Sequence, residues 1–142
     1  MLSAEKIQLN WDRYINEIKT NISKDRTDIL IPFLEKYKER MMMMPASSKN
    51  WHHSAFAGGY VDHVLRVYDC SNELYKTWNK MGGDISTYTV EEMHFVGLFH
   101  DLVKMGHQEG ELKDRYEELQ NIITISQTGN YGARGVQNTR PL

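Results

Sequence analysis

The chain has 142 residues, of which 40% are hydrophobic and 25% charged, and its formal net charge is −2. This length suits one domain with a single core, and the near balance of charge lacks the basic excess that is typical of a nucleic-acid-binding surface. One cysteine, Cys70, excludes an intrachain disulfide and favours a reduced, cytoplasmic setting. The polar amino terminus is not typical of a signal peptide, and no apolar run approaches the roughly 18 residues of a membrane span.

Two amphipathic helices are predicted at the start of the chain. In the first, apolar residues recur every three or four positions; they are Ile7, Trp11, Tyr14, Ile15, Ile18 and Ile22. The second is predicted from about Asp28 to Met44, with Pro32 in its first turn and Pro45 at its end. The methionines at its end are interpreted as adaptable core packing, because no second soft-ligand cluster supports a Cu(I) site.

A polar loop, residues 46–59, carries His52 and His53 and leads into a third helix. This helix is predicted from about Tyr60 to Trp78. Its apolar residues cover a wide arc, which predicts a central, buried helix; they are Val61, Val64, Leu65, Val67, Tyr68, Cys70, Leu74, Tyr75 and Trp78.

A fourth helix is predicted to begin at position 90, because Thr89 and Glu92 form the sequence signature of a capping box. It continues into His100–Asp101, and Gly106 ends it or its extension. Residues 111–123 are predicted to be helical, whereas residues 126–142 lack periodicity and are predicted to be loose or disordered.

Several polar residues are not explained by the helical stripes. They are His52, His53, His63, His100, Asp101, Lys104 and His107. His63 lies one turn into the third helix, and His100 and Asp101 lie at the end of the fourth, so two adjacent antiparallel helices would bring the three together. Imidazole and carboxylate groups at one point suit a divalent metal of the Mn, Fe, Ni, Co or Zn group.

The other aromatic and histidine residues have simpler interpretations. Trp51 and Tyr60 flank the loop histidines and are predicted to pack in the core rather than to stack on a base. His52 and His94 are interpreted as ordinary surface or core residues. His107 stays open between a surface residue and a group near the metal.

The segment HHSAFAGGYVDHVLRV, followed by HDLVK 37 residues after His63, resembles the HD-domain phosphohydrolase superfamily over residues 50–106. The resemblance implies an all-helical bundle and metal-dependent hydrolysis of phosphomonoesters, nucleoside triphosphates, cyclic nucleotides or the 3′ ends of nucleic acids. The helices before this segment resemble those of small phage-type HD proteins.

The resemblance implies roles for five residues. His63 matches the first metal ligand, and His100 and Asp101 match the paired ligands. Lys104 matches the lysine that meets a substrate phosphate, and His53 matches a histidine that faces the substrate. A metal lowers the pKa of a bound water so that it can attack phosphorus, and a cation such as Lys104 offsets charge on the phosphoryl oxygens. Asp101 and Lys104 are therefore the candidate catalytic residues, although Lys104 also suits a plain helix C-terminal cation.

The sequence departs from the family pattern in two places. Val103 replaces the usual glycine between the His-Asp pair and the lysine. The family's fourth ligand is an aspartate on a later helix, and Asp114 is the sole aspartate among the 41 residues that follow the pair. Glu109, Glu111 or His107 are the alternatives to it. We therefore expect an HD-like bundle that is truncated at its C-terminus.

These observations predict an N-terminal helical pair in residues 1–45, an HD-domain core in residues 46–106 and an atypical, partly disordered tail in residues 107–142. The expected function is hydrolysis of a nucleotide or related phosphate ester. The alternatives are a non-catalytic binding module with an incomplete metal site, and a nuclease-like protein that acts on 3′ ends, which the charge balance disfavours. The expected partner is a phosphate-bearing small molecule, and an incomplete bundle also favours a homo-oligomer.

Overall fold

The computed structural model describes residues 1–106. The predictions for residues 107–142 lie outside this described part. They concern the helix at 111–123, the loose tail and the candidate ligands His107, Glu109, Glu111 and Asp114. Residues Met1–Met105 form one compact unit; the predicted divisions at residues 45 and 106 stay predictions.

The described residues form helices and irregular segments and contain no strand. The elements are α1 (Ala4–Asn21), α2 (Lys24–Lys36), α3 (Lys38–Met43), α4 (Gly59–Lys80), α5 (Val90–Phe99) and a short 3₁₀ turn (Leu102–Met105). The all-α class that the sequence predicts is therefore confirmed. None of these helices is both long enough and apolar enough to cross a membrane.

The core lies between α1, α4 and α5, with α2 and α3 closing one side. All six residues of the stripe predicted for α1 are buried, as expected for the apolar face of an amphipathic helix. The largest fully buried side chains are Trp11, Tyr14, Ile18, Leu34, Met41, Tyr60, Val61, Val64 and Leu98.

The second predicted helix is wrong in three respects. It begins at Lys24 rather than Asp28, Pro32 lies inside it rather than in its first turn, and it divides at Tyr37 into α2 and α3. Pro32 is exposed, so the backbone carbonyl that its missing N–H leaves without a helical partner can bind water instead. Tyr37 and Met41 nevertheless lie in the core, and core packing is the interpretation that the sequence gives for the methionines. The break changes the direction of the chain and does not end the helical segment.

The bounds of α4 agree with the prediction to within two residues, but its wide buried arc is wrong for its second half. Val61, Val64 and Leu65 are buried, whereas Leu74 is 64% exposed and Trp78 is 56% exposed. The reason is length. With a rise of about 1.5 Å per residue, the 22 residues of α4 extend well beyond the 10 residues of α5.

The start of α5 is confirmed in detail. The Thr89 hydroxyl accepts a hydrogen bond from the Glu92 amide at 3.1 Å, and the Glu92 carboxylate accepts one from the Thr89 amide at 2.8 Å. The turn before it uses Gly82 at a positive φ of 82°. The helix ends at Phe99, so that His100 stands at its C-terminal cap.

Candidate metal centre

Two glycines bring the histidine loop against the start of α4. Gly58 has a φ of +80° and caps the helix in a left-handed conformation. A Cβ on Gly59 would run into the backbone carbonyl of Ser54. The same Ser54 carbonyl accepts a hydrogen bond from the Ala46 amide at 3.0 Å, which closes the loop on itself. The Gly-Gly pair is therefore needed where loop and helix approach most closely.

Helix α1 fixes the end of α5. The Tyr14 side chain is fully buried and its hydroxyl donates a hydrogen bond to the Leu98 carbonyl at 3.0 Å. This bond satisfies one of the carbonyls that a helix leaves unpaired in its last turn. Burial raises the pKa of Tyr14 well above its usual value, so the hydroxyl keeps its proton and stays a donor. The position of His100 and Asp101 thus depends on Tyr14, which precedes Leu98 by 84 positions in the chain.

The structure brings together the three residues that the sequence nominates as metal ligands. The Asp101 Oδ2 atom lies 3.2 Å from His63 Nε2 and 3.4 Å from His100 Nε2. One ligand atom from each of the three lies within 4.8 Å of the other two. Helices α4 and α5 therefore run antiparallel here, with the beginning of one beside the end of the other.

Hydrogen bonding sets the orientation of the His100 ring. Its Nδ1 lies 3.0 Å from the Gly97 carbonyl, and because a carbonyl can only accept, Nδ1 carries the proton. In the neutral ring, Nε2 then presents a lone pair to the Asp101 carboxylate. Two acceptors at 3.4 Å repel each other unless a cation, either a proton or a metal ion, lies between them. The donor set therefore fits a cation on chemical grounds.

The charges around the site favour its metal-binding protonation states. Burial alone would raise the pKa of Asp101, but the hydrogen bond from Lys104 and the nearby His100 and His63 outweigh it and lower the pKa below its usual value. Burial, followed by the charges of His53, His100 and Lys104, lowers the pKa of His63 against the opposing effect of Asp101. A carboxylate and a neutral imidazole are the forms that coordinate metals.

Lys104 and His53 lie at the edge of this group. The Lys104 Nζ atom is 3.0 Å from Asp101 Oδ2, and its side chain is 40% exposed. The His53 ring is exposed and its centroid lies 4.7 Å from that of His63. Both residues lie beside the cluster, and their predicted substrate contacts stay predictions.

The two remaining described histidines are arranged as ordinary residues. His94 Nε2 lies 2.9 Å from the Asn72 Oδ1 atom, and its ring packs on Tyr68. His52 is exposed beside Trp51. Neither belongs to the three-residue group found in the described part of the chain.

Trp51 and Tyr60 behave differently from each other, although the sequence predicts core packing for both. Tyr60 is fully buried, and its hydroxyl has no hydrogen-bond partner among the described residues. Burial raises its pKa, and the Asp101 charge adds to the effect. The prediction for Trp51 is wrong, because its side chain is 81% exposed. Its polar neighbours in SSKNWHH were the sequence signal for this exposure.

Two imidazole nitrogens and one carboxylate oxygen suit first-row metals such as Mn, Fe, Co, Ni and Zn. Within residues 1–106, three side chains offer ligand atoms, and three ligands would leave coordination positions for water, substrate or a further ligand. His63, His100 and Asp101 are therefore the residues that would hold the ion, and the donor set does not select one metal among these.

Among curated proteins, the chain is similar to the 3′-5′ exoribonuclease YhaM of Oceanobacillus iheyensis, with 31% identity over 70 residues. The match covers 49% of this chain and 21% of the exoribonuclease, so the chain spans about a fifth of the length of that relative. No family model matches the chain, and no solved structure matches it. The similarity is consistent with the relationship to the HD superfamily that the motifs indicate.

Proposed function

We propose that this protein is a metal-dependent phosphohydrolase of the HD type that acts on a nucleotide or a related phosphate ester. One observation carries the proposal: ligand atoms of His63, His100 and Asp101 converge within 4.8 Å at the junction of two helices. The three residues are exposed or only partly buried, so core packing does not account for their convergence. A shared cation explains why all three are directed at one point.

The bound metal would supply a nucleophile by lowering the pKa of water, and would polarise a phosphoryl oxygen. The protein's own contribution is orientation. The Gly97 carbonyl holds the His100 ring with Nε2 toward Asp101, and Tyr14 holds the helix end that carries both. Lys104 offsets negative charge on the phosphoryl group as the reaction proceeds. His53 faces the substrate across the ring of His63.

A second candidate is a nuclease that removes nucleotides from RNA 3′ ends. It is favoured by the similarity to a protein named as a 3′-5′ exoribonuclease. The formal net charge of −2 disfavours a long nucleic-acid footprint, but a single nucleotide at a strand end needs few phosphate contacts. The two candidates share the same chemistry and differ in whether the substrate is free or part of a strand.

Metal titration tests the site directly. Mn²⁺ and Ni²⁺ are titrated calorimetrically into the purified chain and into the variants His63→Ala, His100→Ala and Asp101→Asn. Each variant should weaken binding by more than the roughly 10–100-fold that loss of a supporting group costs. His94→Ala is the matched control. This histidine lies in α5, whose C-terminal cap is His100, but its side chain is hydrogen-bonded to Asn72 and lies outside the metal cluster. Equal binding by the wild type and the His100 variant would remove the basis of the proposal.

A substrate panel then separates the candidates. It contains deoxynucleoside triphosphates, nucleoside monophosphates, p-nitrophenyl phosphate and a short single-stranded RNA with a free 3′ end. Phosphate release from small esters supports the phosphohydrolase, and shortening of the RNA supports the nuclease. Metal binding with no turnover of any substrate, and no difference from the His100→Ala protein, would instead favour a non-catalytic binding module.

A further inference from the structure

The surface beside the candidate metal centre presents an unusual aromatic side chain. Trp51 is 81% exposed in a segment, residues 48–53, in which every residue is exposed. Its indole meets the His52 ring edge-on, with centroids 6.0 Å apart and an interplanar angle of 80°. A large apolar ring in water gains little from the fold that displays it, so the Trp51 indole remains available to stack on a ligand.

Trp51 lies two residues before a histidine that contacts one of the candidate metal ligands. The ring of His53, two residues on, lies 4.7 Å from the ring of His63. Consecutive Cα atoms are about 3.8 Å apart, so the Cα atoms of residues 51 and 53 are separated by no more than about 7.6 Å. The backbone is also held, because Gly58 and Tyr60 donate hydrogen bonds to the carbonyls of Met43 and Met44. Trp51 is therefore carried by a short, anchored loop whose next residue but one contacts a candidate metal ligand.

The charges on this rim suit an anionic ligand. Residues 46–58 contain Lys49, His52 and His53 and no acidic residue. Lys104, on the 3₁₀ turn, adds a cation 3.0 Å from the Asp101 carboxylate. An aromatic ring beside a cationic phosphate site is the combination that binds a nucleotide, since bases stack on aromatic side chains in a sequence-tolerant way.

We infer that Trp51 is a stacking platform for the nucleobase whose phosphate lies at His63, His100 and Asp101. This inference rests on the proposed function and gives its substrate class: a phosphate ester that carries a nucleobase, whether as a free nucleotide or as the terminal residue of a strand. Loss of one base–aromatic stack weakens binding by about 5- to 150-fold. A phosphate ester without a base should be indifferent to residue 51.

Trp78 provides a matched control. It is also exposed, at 56%, but its indole nitrogen donates a hydrogen bond to the Asp84 carbonyl at 3.1 Å and its ring packs against Gly83. It lies 15 residues after His63 on the same helix, which is about 22 Å along the axis at 1.5 Å per residue. Replacing it removes an exposed tryptophan without touching the rim.

The experiment uses the full chain as wild type, Trp51→Ala, Trp51→Phe and Trp78→Ala, with Mn²⁺ present. Calorimetry measures binding of AMP, of ribose 5-phosphate and of a tetra-adenylate with a free 3′ end. Trp51→Ala should weaken AMP or tetra-adenylate binding by about 5-fold or more, leave ribose 5-phosphate unchanged, and be largely rescued by Trp51→Phe. Trp78→Ala should match the wild type throughout. An effect on the oligonucleotide alone assigns the platform to strand ends, and an effect on both assigns it to nucleotides in general.

Titration of Mn²⁺ without nucleotide tests the metal centre separately from the stacking role of Trp51. If Trp51→Ala binds the metal like the wild type and also binds AMP and tetra-adenylate like the wild type, the stacking inference is overturned while the metal centre stands. Equal weakening of AMP and ribose 5-phosphate also overturns it, because residue 51 would then support the loop rather than the base. If the wild type binds no metal, the proposed function fails and the inference fails with it.

Discussion

The two halves of α4 have similar apolar spacing but different surroundings. In the first half, Val64 and Leu65 are buried against α1 and α5, and His63 faces Asp101. In the second half, Leu74 and Trp78 are largely exposed. Helix α1 ends at Asn21, whose side chain reaches the Tyr68 hydroxyl at 3.1 Å. The core partner of α4 therefore stops about halfway along it.

The difference shows that an amphipathic pattern reports what a helix can bury and not what it does bury. Apolar area stabilises a fold only when another element removes it from water. The first half of α4 has such neighbours and can hold costly polar groups in position for a site. Among residues 1–106, the second half has few, so its side chains contribute little to folding.

The largest effect should come from truncating a leucine in the first half. Leu65→Ala should lower the free energy of unfolding by about 2–5 kcal/mol, because it opens a cavity in the core. Leu74→Ala, on the same helix, should change it by less than about 0.5 kcal/mol. Urea denaturation followed by circular dichroism measures both. Similar losses in the two variants would show that the second half is covered in solution.

The next effect concerns the two glycines at the ends of α4. Gly59→Ala should cost about 1–3 kcal/mol through overpacking and should also weaken Mn²⁺ binding, because the new Cβ meets the Ser54 carbonyl beneath the histidine loop. A Cβ at residue 82 would meet open space. Gly82→Ala should therefore lower the free energy of unfolding only by the roughly 1–2 kcal/mol that a left-handed φ costs a residue with a side chain. Titration with Mn²⁺ distinguishes the two variants. A loss of metal affinity in Gly82→Ala would contradict the expectation that only the first half of α4 supports the site.

A smaller effect is expected where the two halves of α4 meet. The Tyr68 hydroxyl donates to Glu17 Oε2 at 2.9 Å and accepts from the Asn21 amide. Tyr68→Phe should therefore reduce stability by about 0.5–1.5 kcal/mol. Tyr75→Phe, two turns later, keeps its ring contact with Tyr88 and should be neutral in thermal melts. If Tyr68→Phe leaves the free energy of unfolding unchanged, the hydrogen bonds of Tyr68 do not help to stabilise the first half of α4.

The smallest effect should come from the exposed face of α4. Arg13 forms two hydrogen bonds with the Asp69 carboxylate, which together with Glu17 raise the pKa of Arg13 against the effect of burial. Both side chains are exposed, so Asp69→Asn should cost less than about 1 kcal/mol. The difference should shrink further in 0.5 M NaCl, and a salt-independent loss would indicate a stronger, buried role.

Local signals in the sequence predicted much of the fold. The α1 stripe, the capping box at Thr89–Glu92 and the start of α4 near Tyr60 are each encoded within a few residues, and all three are found. The predictions for Pro32 and for an unbroken helix through Tyr37 are wrong, because whether a helix tolerates a proline in its interior depends on tertiary surroundings that no local pattern encodes. The resemblance to HD proteins nominated His63, His100 and Asp101, and the structure places them together.

By itself, the sequence determined the all-α class, the starts of α4 and α5 and the identity of the three clustered polar residues, because caps, glycines and periodic apolar positions act over one or two turns. Only the tertiary structure decided which apolar faces are buried, that Trp51 lies in solvent, and that Tyr14 fixes the end of α5. These features depend on contacts between residues far apart in the chain, where helix length and packing set which groups meet.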